Sequence, residues 1–317
     1  MTFFIEEANK FCQRMVKRGG GVKNIHPKLV NTTTSNLNLS KIGMQENTKM
    51  LIVELHIDVC DSMGANLVNT VCEKISPYLE RLTASRAALR ILTNLCYLRR
   101  ARASFEIPIA KMGVKKLSGL QVTRRIMEAY LFASSDHLRA VTHNKGVMNG
   151  ISAVALATGQ DWRAVEAAAH SFAGSYDPNG KYSPMTKYSI VESAEDSGMC
   201  LRGEIEIPIS VGTRGGVIHT NSLYSQNLKI LGNPDSRKLA EIMVAVGLAQ
   251  NFAALKALAL EGIQKGHMRL HSRNLAISAG VPLESVDRCV EYMEQKNAHS
   301  VEAAKEFLIT YVLKPKI

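Results

Sequence analysis

Between Glu6 and Val16, Ala8, Phe11, Cys12, Met15 and Val16 recur at helical spacing. The run ends in Lys17-Arg18 and the triplet Gly19–Gly21, which predicts a helix entering a glycine turn. Polar turn residues fill 31–40 and 43–48. Met50–Cys60 then reads as a long strand with partial alternation, Asn66–Leu82 as a helix and Ala87–Leu92 as a second strand, a small α/β layer. A further strand is predicted at Ala103–Ile109, a helix at 118–133, and a closely packed alanine-dense helical stretch at 147–173. Residues 174–198 concentrate Pro, Gly, Asn and Ser and read as a loop or insertion. Glu204–Val211 alternates as a strand does, and Ser236–Glu261 reads as a long helix with Ser236 as its N-cap. No internal repeat is evident.

The longest apolar stretches, such as Ile151–Gly159 and Ala240–Ala249, break well short of the ~20 residues needed to cross a bilayer. No membrane span is predicted. The N-terminus turns acidic at Glu6 and shows neither a basic n-region nor a small-residue cleavage site, so the expected compartment is the cytoplasm.

At 317 residues, 46% apolar and 21% charged, the chain is long enough for two domains and is neither disordered nor collagen-like. Lys and Arg number 39 against 28 Asp and Glu, a net charge of +11 that favours an anionic partner such as nucleic acid, a phosphorylated cofactor or an acidic coenzyme ester. Aromatics make up only 6%, and Arg99, Arg100 and Arg102 have none interleaved, so they read as a solvated face and no nucleic-acid partner is expected. Six cysteines without a CxxC pair read as reduced thiols.

The sequence contains neither GxGxxG nor GxxxxGK[ST], so any nucleotide site is built differently from those folds. Two glycine loops remain, Asp61-Ser-Met-Gly-Ala-Asn66 after a strand and opening a helix, and Gly212-Thr-Arg-Gly-Gly216 after the alternating strand. A glycine turn at a helix N-terminus presents free amides to an anion; otherwise each is a plain turn. The densest polar cluster is Arg139–Gly150, followed by Thr158-Gly-Gln-Asp-Trp162. If the chain bends, Lys145 and Asp161 can face one another, the lysine polarising a carbonyl and the carboxylate orienting it. Spacing alone favours an ordinary helix cap plus a surface charge pair. His267 and His271 share a helix face at i, i+4, but Met268 stands where HExxH has its glutamate, so a proton donor or a packed imidazole is favoured over a metal ligand.

Taken together, Asp61–Asn66, Thr93-Asn-Leu95, His143–Gly150, Thr158–Arg163, Gly212–Gly216 and Gly266–His271 resemble, in order, the motifs of the bacterial class II hydroxymethylglutaryl-CoA reductases. The likeness runs from about residue 10 to about residue 300. It implies a two-step, four-electron reduction of hydroxymethylglutaryl-CoA to mevalonate and CoA, with NADPH or NADH as cofactor and no metal. It further implies that Lys145 stabilises the hemithioacetal oxyanion, that Asp161 bonds to that lysine, and that His267, rather than His271, protonates the departing CoA thiolate. Arg139 and Asn149 match residues holding the hydroxymethylglutaryl end. Asp61, Gly64, Asn66, Asn94 and Gly215 match the nucleotide motifs, with Asn24 at the adenosine ribose. The implied fold is α+β, a helical large domain with a central helix around 147–173, a small ferredoxin-like nucleotide-binding domain and a C-terminal helical flap. The expected boundaries are 1–95, 96–262 and 263–317, and the expected unit is a homodimer with its active site at the interface.

Three positions depart from the family pattern. The ENxxG motif that carries the family's catalytic glutamate and the TT-containing segment after it have no counterpart here; Glu46-Asn47 continues as Thr48-Lys49-Met50 and is rejected as a substitute. A reductase therefore competes with a catalytically deficient remnant that binds nucleotide or CoA without turnover. Asn24 stands where an acidic residue would bind the ribose diol of NADH, with Lys23, His26 and Lys28 nearby, which predicts that NADPH is accepted at least as well as NADH. Thr93 replaces a usual serine.

Overall fold

The structure is a computed structural model that describes residues 2–32, 39–43, 48–175, 180–193, 198–260 and 263–313, the side chains of 39–40 and 263–270 excepted. The chain forms two compact units: Met1–Ala103, Gly150–Gly180 and Glu206–Val246 make the first, and Ser104–Asn149, Lys181–Ile205 and Gly247–Ile317 the second. Residues 1–95 all fall in the first unit and 263–317 all in the second, while 96–262 are divided between them.

The first unit opens with α1 (Thr2–Asn9), a single 3-10 turn and α2 (Gln13–Val16), so the amphipathic stretch is helical from four residues before Glu6. Strand β1 (Gly21–Asn31) pairs antiparallel with β2 (Lys49–Asp58). The β1 strand was not legible in the sequence because Lys23, Pro27, Lys28 and the turn residues around them mask its alternation. One face of this ribbon, with Ile25, Val53 and Leu55, packs with Ala8 and Cys12 and with Val71 and Ile75 of α3 (Ala65–Thr83). Asn9 ties the first helix to the sheet, its Oδ1 accepting from the Val22 amide at 2.7 Å and its Nδ2 donating to the Val22 carbonyl at 3.2 Å.

Ala87–Leu92, expected as a strand, belongs to neither sheet. Two of its amides are satisfied by side chains of α3: Ala87 donates to Glu80 Oε1 and Leu92 to Asn69 Oδ1, both at 2.8 Å. Leu89 is 83% exposed, so no core recruits this segment into a ladder.

The expected helical stretch 147–173 is two helices. Helix α5 (His137–Ala157) follows α4 (Gly119–Ser135) and ends before Gly159, and α6 (Trp162–Ser175) begins after it. Gly159 has φ +69°, and a Cβ there would stand 2.5 Å from the Tyr224 ring, so the break needs glycine. Tyr224 lies on α7 (Ser222–Ile230), whose Asn227 donates to the Ala157 carbonyl at 2.7 Å.

In the second unit, α4 begins with a reciprocal cap between Ser118 and Gln121. A three-stranded antiparallel sheet has the order β3 (Arg100–Pro108), β5 (Met199–Pro208), β4 (Thr186–Glu192). Strand β4 lies inside the stretch expected as a loop: Thr186 and Tyr188 are buried, and the polar composition around them hid the strand. The long helix α8 (Ser236–Leu260) is capped one residue earlier than expected, because Asp235 Oδ1 accepts the Lys238 amide at 2.7 Å, leaving Ser236 as the first helical residue. By length and composition α8 would reach across a bilayer, longer than its apolar run suggested; Leu239, Met243, Val244, Leu248 and Leu255 are buried within the protein. Helices α9 (Ile263–Ser278), α10 (Val286–Gln295) and α11 (Val301–Phe307) enclose a separate core of Ala276, Val286, Cys289, Val290, Met293, Ala304 and Phe307.

Candidate functional site

Both glycine loops lie in the first unit and touch. A Cβ on Gly212 would stand 2.3 Å from the Met63 amide nitrogen, so this contact admits only glycine. The Thr213 amide donates to the Asp61 carbonyl at 2.8 Å, and the Gly212 amide to Gln160 Oε1 at 2.9 Å. Gln160 Nε2 in turn donates to the Thr158 carbonyl at 3.0 Å, so three of the sequence motifs meet at one place.

Arg99 completes the arrangement. Its guanidinium donates to the carbonyls of Cys60 (3.4 Å), Ser62 (3.1 Å), Met63 (3.2 Å) and Val211 (2.6 Å). Burial draws its pKa below the ordinary arginine value. Arg99 is therefore not part of a solvated face, whereas Arg100 is half open and pairs with Glu206 at 3.2 Å. The basic run gave no signal that separates these neighbours.

Asp61 points its carboxylate at α8: Oδ1 accepts from the Ser236 amide at 3.1 Å, and Ser236 Oγ donates to the Cys60 carbonyl at 3.3 Å. The Ser236 amide holds the Asp61 carboxyl below its ordinary range. Gly64, at φ +100°, precedes α3 without a side-chain cap, and a Cβ there would stand 2.6 Å from Val59. The first amides of α3, through exposed Asn66, thus have no helical partner. Gly215 is exposed with φ +87°, and a Cβ there would meet nothing within 4 Å. Asn94 is exposed, its carbonyl accepting from the Cys96 amide.

Asn24 sits on β1 directly opposite His56, with His26 opposite Glu54. Facing residues share a side of the ribbon, so Asn24, His26, Lys28, Glu54 and His56 form its polar face. The His26 and His56 rings lie 4.7 Å apart, and Tyr97 Oη donates to Glu54 at 3.1 Å. The His56 contact, at 2.8 Å, draws the Glu54 carboxyl below its ordinary range. Lys28 stands 3.5 Å from Glu54, which offsets part of its charge.

The part of α5 that lies in the second unit, up to Asn149, has two unlike faces. Ala140, His143, Asn144, Val147 and Met148 are buried, while Leu138, Val141, Lys145 and Asn149 are exposed. Lys145 is thus presented outward by a helix whose inner face is fixed. Asn144 Oδ1 accepts the Met185 amide at 2.8 Å and its Nδ2 donates to the Ser183 carbonyl at 2.9 Å. His143 Nε2 lies 2.6 Å from Thr186 Oγ1, which donates to Asn251 Oδ1 at 3.1 Å; Asn251 Oδ1 also accepts from Tyr188 Oη at 2.9 Å. Because the threonine proton is committed to Asn251, His143 Nε2 carries the donated hydrogen. Burial, then the charge of Arg139, lowers the His143 pKa to about 4, so the ring is neutral. Neither His143 nor Asn144 was singled out from the sequence, where they stand as plain members of the motif around Lys145.

Arg139 is half-buried near the start of α5, its amide donating to Asp136 Oδ2. Asp161, in the first unit, caps α6, its Oδ1 accepting the Ala164 amide at 3.1 Å with Arg163 Nε at 4.0 Å. His267 falls on α9, and its side chain lies outside the described residues. Among the described residues no three His, Cys, Asp or Glu side chains are grouped to hold a metal.

The family model for hydroxymethylglutaryl-coenzyme A reductase matches residues 1–272. A 3-hydroxy-3-methylglutaryl-coenzyme A reductase of Archaeoglobus fulgidus is 46% identical over 304 residues, 96% of this chain and 64% of its own length. A probable reductase of the same name from Borreliella burgdorferi is 35% identical over 298 residues, 93% of this chain and 64% of its own. This chain thus spans just under two thirds of these relatives. Among solved structures, the Streptococcus pneumoniae reductase aligns with TM-score 0.72 at 36% identity, over 97% of this chain and 68% of that one. The class II enzyme from the same organism bound to NADPH, in open conformations, aligns with TM-score 0.71 at 36% identity, over 97% and 69%.

Proposed function

Because the chain belongs to the hydroxymethylglutaryl-coenzyme A reductase family, we propose that it serves the NAD(P)H-dependent reduction of hydroxymethylglutaryl-CoA to mevalonate. The thioester, two NAD(P)H and two protons give mevalonate, free CoA thiol and two NAD(P)⁺. One observation carries the reading: the Gly212 loop lies against Ser62–Met63 at the start of α3, so two separate motifs make one surface.

That surface fits a dinucleotide. The uncapped N-terminus of α3 offers amides to phosphate oxygens, and the open space above Gly215 leaves room for them. When bound, the reduced nicotinamide supplies the reducing equivalents. The chain's own residues take the roles that follow, and the carboxyl of the family's ENxxG motif is not among them. Lys145, as a point charge, stabilises the oxyanion that forms at the former thioester carbon, and Asp161 is the carboxylate assigned to support that charge. His267 gives a proton to the departing CoA sulfur, and an imidazole suits that task near neutral pH. Arg139 and Asn149 hold the carboxylate and hydroxyl of the hydroxymethylglutaryl group. Asn24 faces the adenosine ribose, and Asp61, Gly64, Asn66, Asn94 and Gly215 shape the rest of the cofactor site.

The exposed stripe of α5, where Leu138 is 67% and Val141 51% exposed beside Lys145, supports a homodimer that covers it. Incubation with hydroxymethylglutaryl-CoA and NADPH tests the function: two NADPH consumed per CoA thiol released supports it. Thiol release without NADPH consumption contradicts it.

A further inference from the structure

We propose that Arg99 and Gln160 are positioning residues that clamp the two glycine loops into a single cofactor-binding surface. The inference rests on the reading of that surface as the NAD(P)H site. Loops of small residues do not hold a shape unaided, since glycine leaves the backbone free on either side. Here the Asp61–Gly64 loop and the Val211–Gly216 loop are far apart in sequence, and each is gripped through its main chain.

Arg99 takes carbonyls from both sides at once, Cys60, Ser62 and Met63 from one loop and Val211 from the other. A planar fork with five donors can span such a set; a lysine ammonium cannot. Gln160 accepts the Gly212 amide while donating to the Thr158 carbonyl, which fixes the second loop to the turn between α5 and α6. Among the described residues no carboxylate pairs with the Arg99 guanidinium, whose partners are backbone dipoles. Asp58 and Asp61 interact with its charge from nearby, so its role is set by the carbonyls it spans. The clamp sets loop geometry without touching the cofactor.

The test is fluorescence titration of NADPH and NADH into the full chain and into Arg99→Lys and Gln160→Met, at a temperature where circular dichroism shows each variant folded. Arg99→Lys keeps the charge and loses the fork; Gln160→Met keeps the length and loses both bonds. The expected result is a Kd raised tenfold or more for both cofactors in each variant, with faster deuterium uptake in 61–64 and 211–216 and unchanged uptake in α4. Folded variants with lowered melting temperature but the original Kd overturn the clamp and leave the cofactor site standing. If Arg99→Lys does not fold, Gln160→Met decides alone. Absence of cofactor binding by the unmodified chain overturns the site itself, and the clamp with it.

Discussion

The amide of Ser236 donates to Asp61 Oδ1 at 3.1 Å, so the aspartate that opens the first glycine loop also satisfies the first turn of the longest helix. This bond holds the Asp61 carboxyl below its ordinary value of 3.8. A depressed carboxylate contributes stability that is full above its ordinary value and is lost as pH falls through the lower, folded one. Asp61→Ala is expected to cost ~1 kcal/mol at neutral pH, as loss of a helix-cap acceptor does. Urea melts of both proteins at pH 3 to 7 should show that difference shrinking below pH 4.

His143 titrates in the opposite sense to a surface histidine. Its folded pKa of about 4 lies under the ordinary 6.5, so the unfolded chain binds the extra proton first. Stability should therefore fall as pH drops from 6.5 toward 4, by up to ~3 kcal/mol for this one group. Denaturant melts across that window should show the slope in the unmodified chain and a flatter one in His143→Gln.

Asn24 and His56 face one another across the ribbon, and a carboxylate at position 24 would accept the ribose 2′- and 3′-hydroxyls while repelling a 2′-phosphate. Asn24→Asp is expected to shift the NADH to NADPH affinity ratio about tenfold toward NADH, a change of ~1.4 kcal/mol. Binding titrations of the two cofactors read this without turnover. An unchanged ratio would remove Asn24 from the ribose site.

His267 and His271 are separated by their effect on two substrates. In an enzyme complemented with the ENxxG-bearing segment, His267→Gln should impair reduction of the CoA thioester by ~10²–10⁴-fold while largely sparing the free aldehyde, because only the thioester releases a thiolate. His271→Gln should be milder. Equal losses on both substrates would make position 267 structural.

Periodicity located the long elements, α3, α4, α8 and the β2 and β5 strands, because each turns apolar residues toward a core, β2 through the partly buried Val53, Leu55 and Ile57. It failed where long-range partners decide. Ala87–Leu92 has strand composition but no neighbouring strand, while Thr186–Glu192 has loop composition and gains a strand because β5 offers an edge and Thr186 joins the His143–Asn251 network. The 147–173 stretch reads as one helix until Gly159 is seen against Tyr224. At the site, the motifs named the loops, yet Arg99 was indistinguishable from Arg100, since nothing local reveals four carbonyls converging from distant segments. Asp161 is seen capping α6, the plainer of the two roles its spacing allowed.

The central claim is that the two touching glycine loops bind a nicotinamide dinucleotide as one site. Gly212→Ala tests it directly, because the added methyl would stand 2.3 Å from the Met63 nitrogen and must part the loops. Fluorescence titration with NADPH should give saturable, one-to-one binding to the unmodified chain and at least a tenfold weaker Kd in folded Gly212→Ala. No saturable binding by the unmodified chain, or equal affinity in the two, would contradict the account.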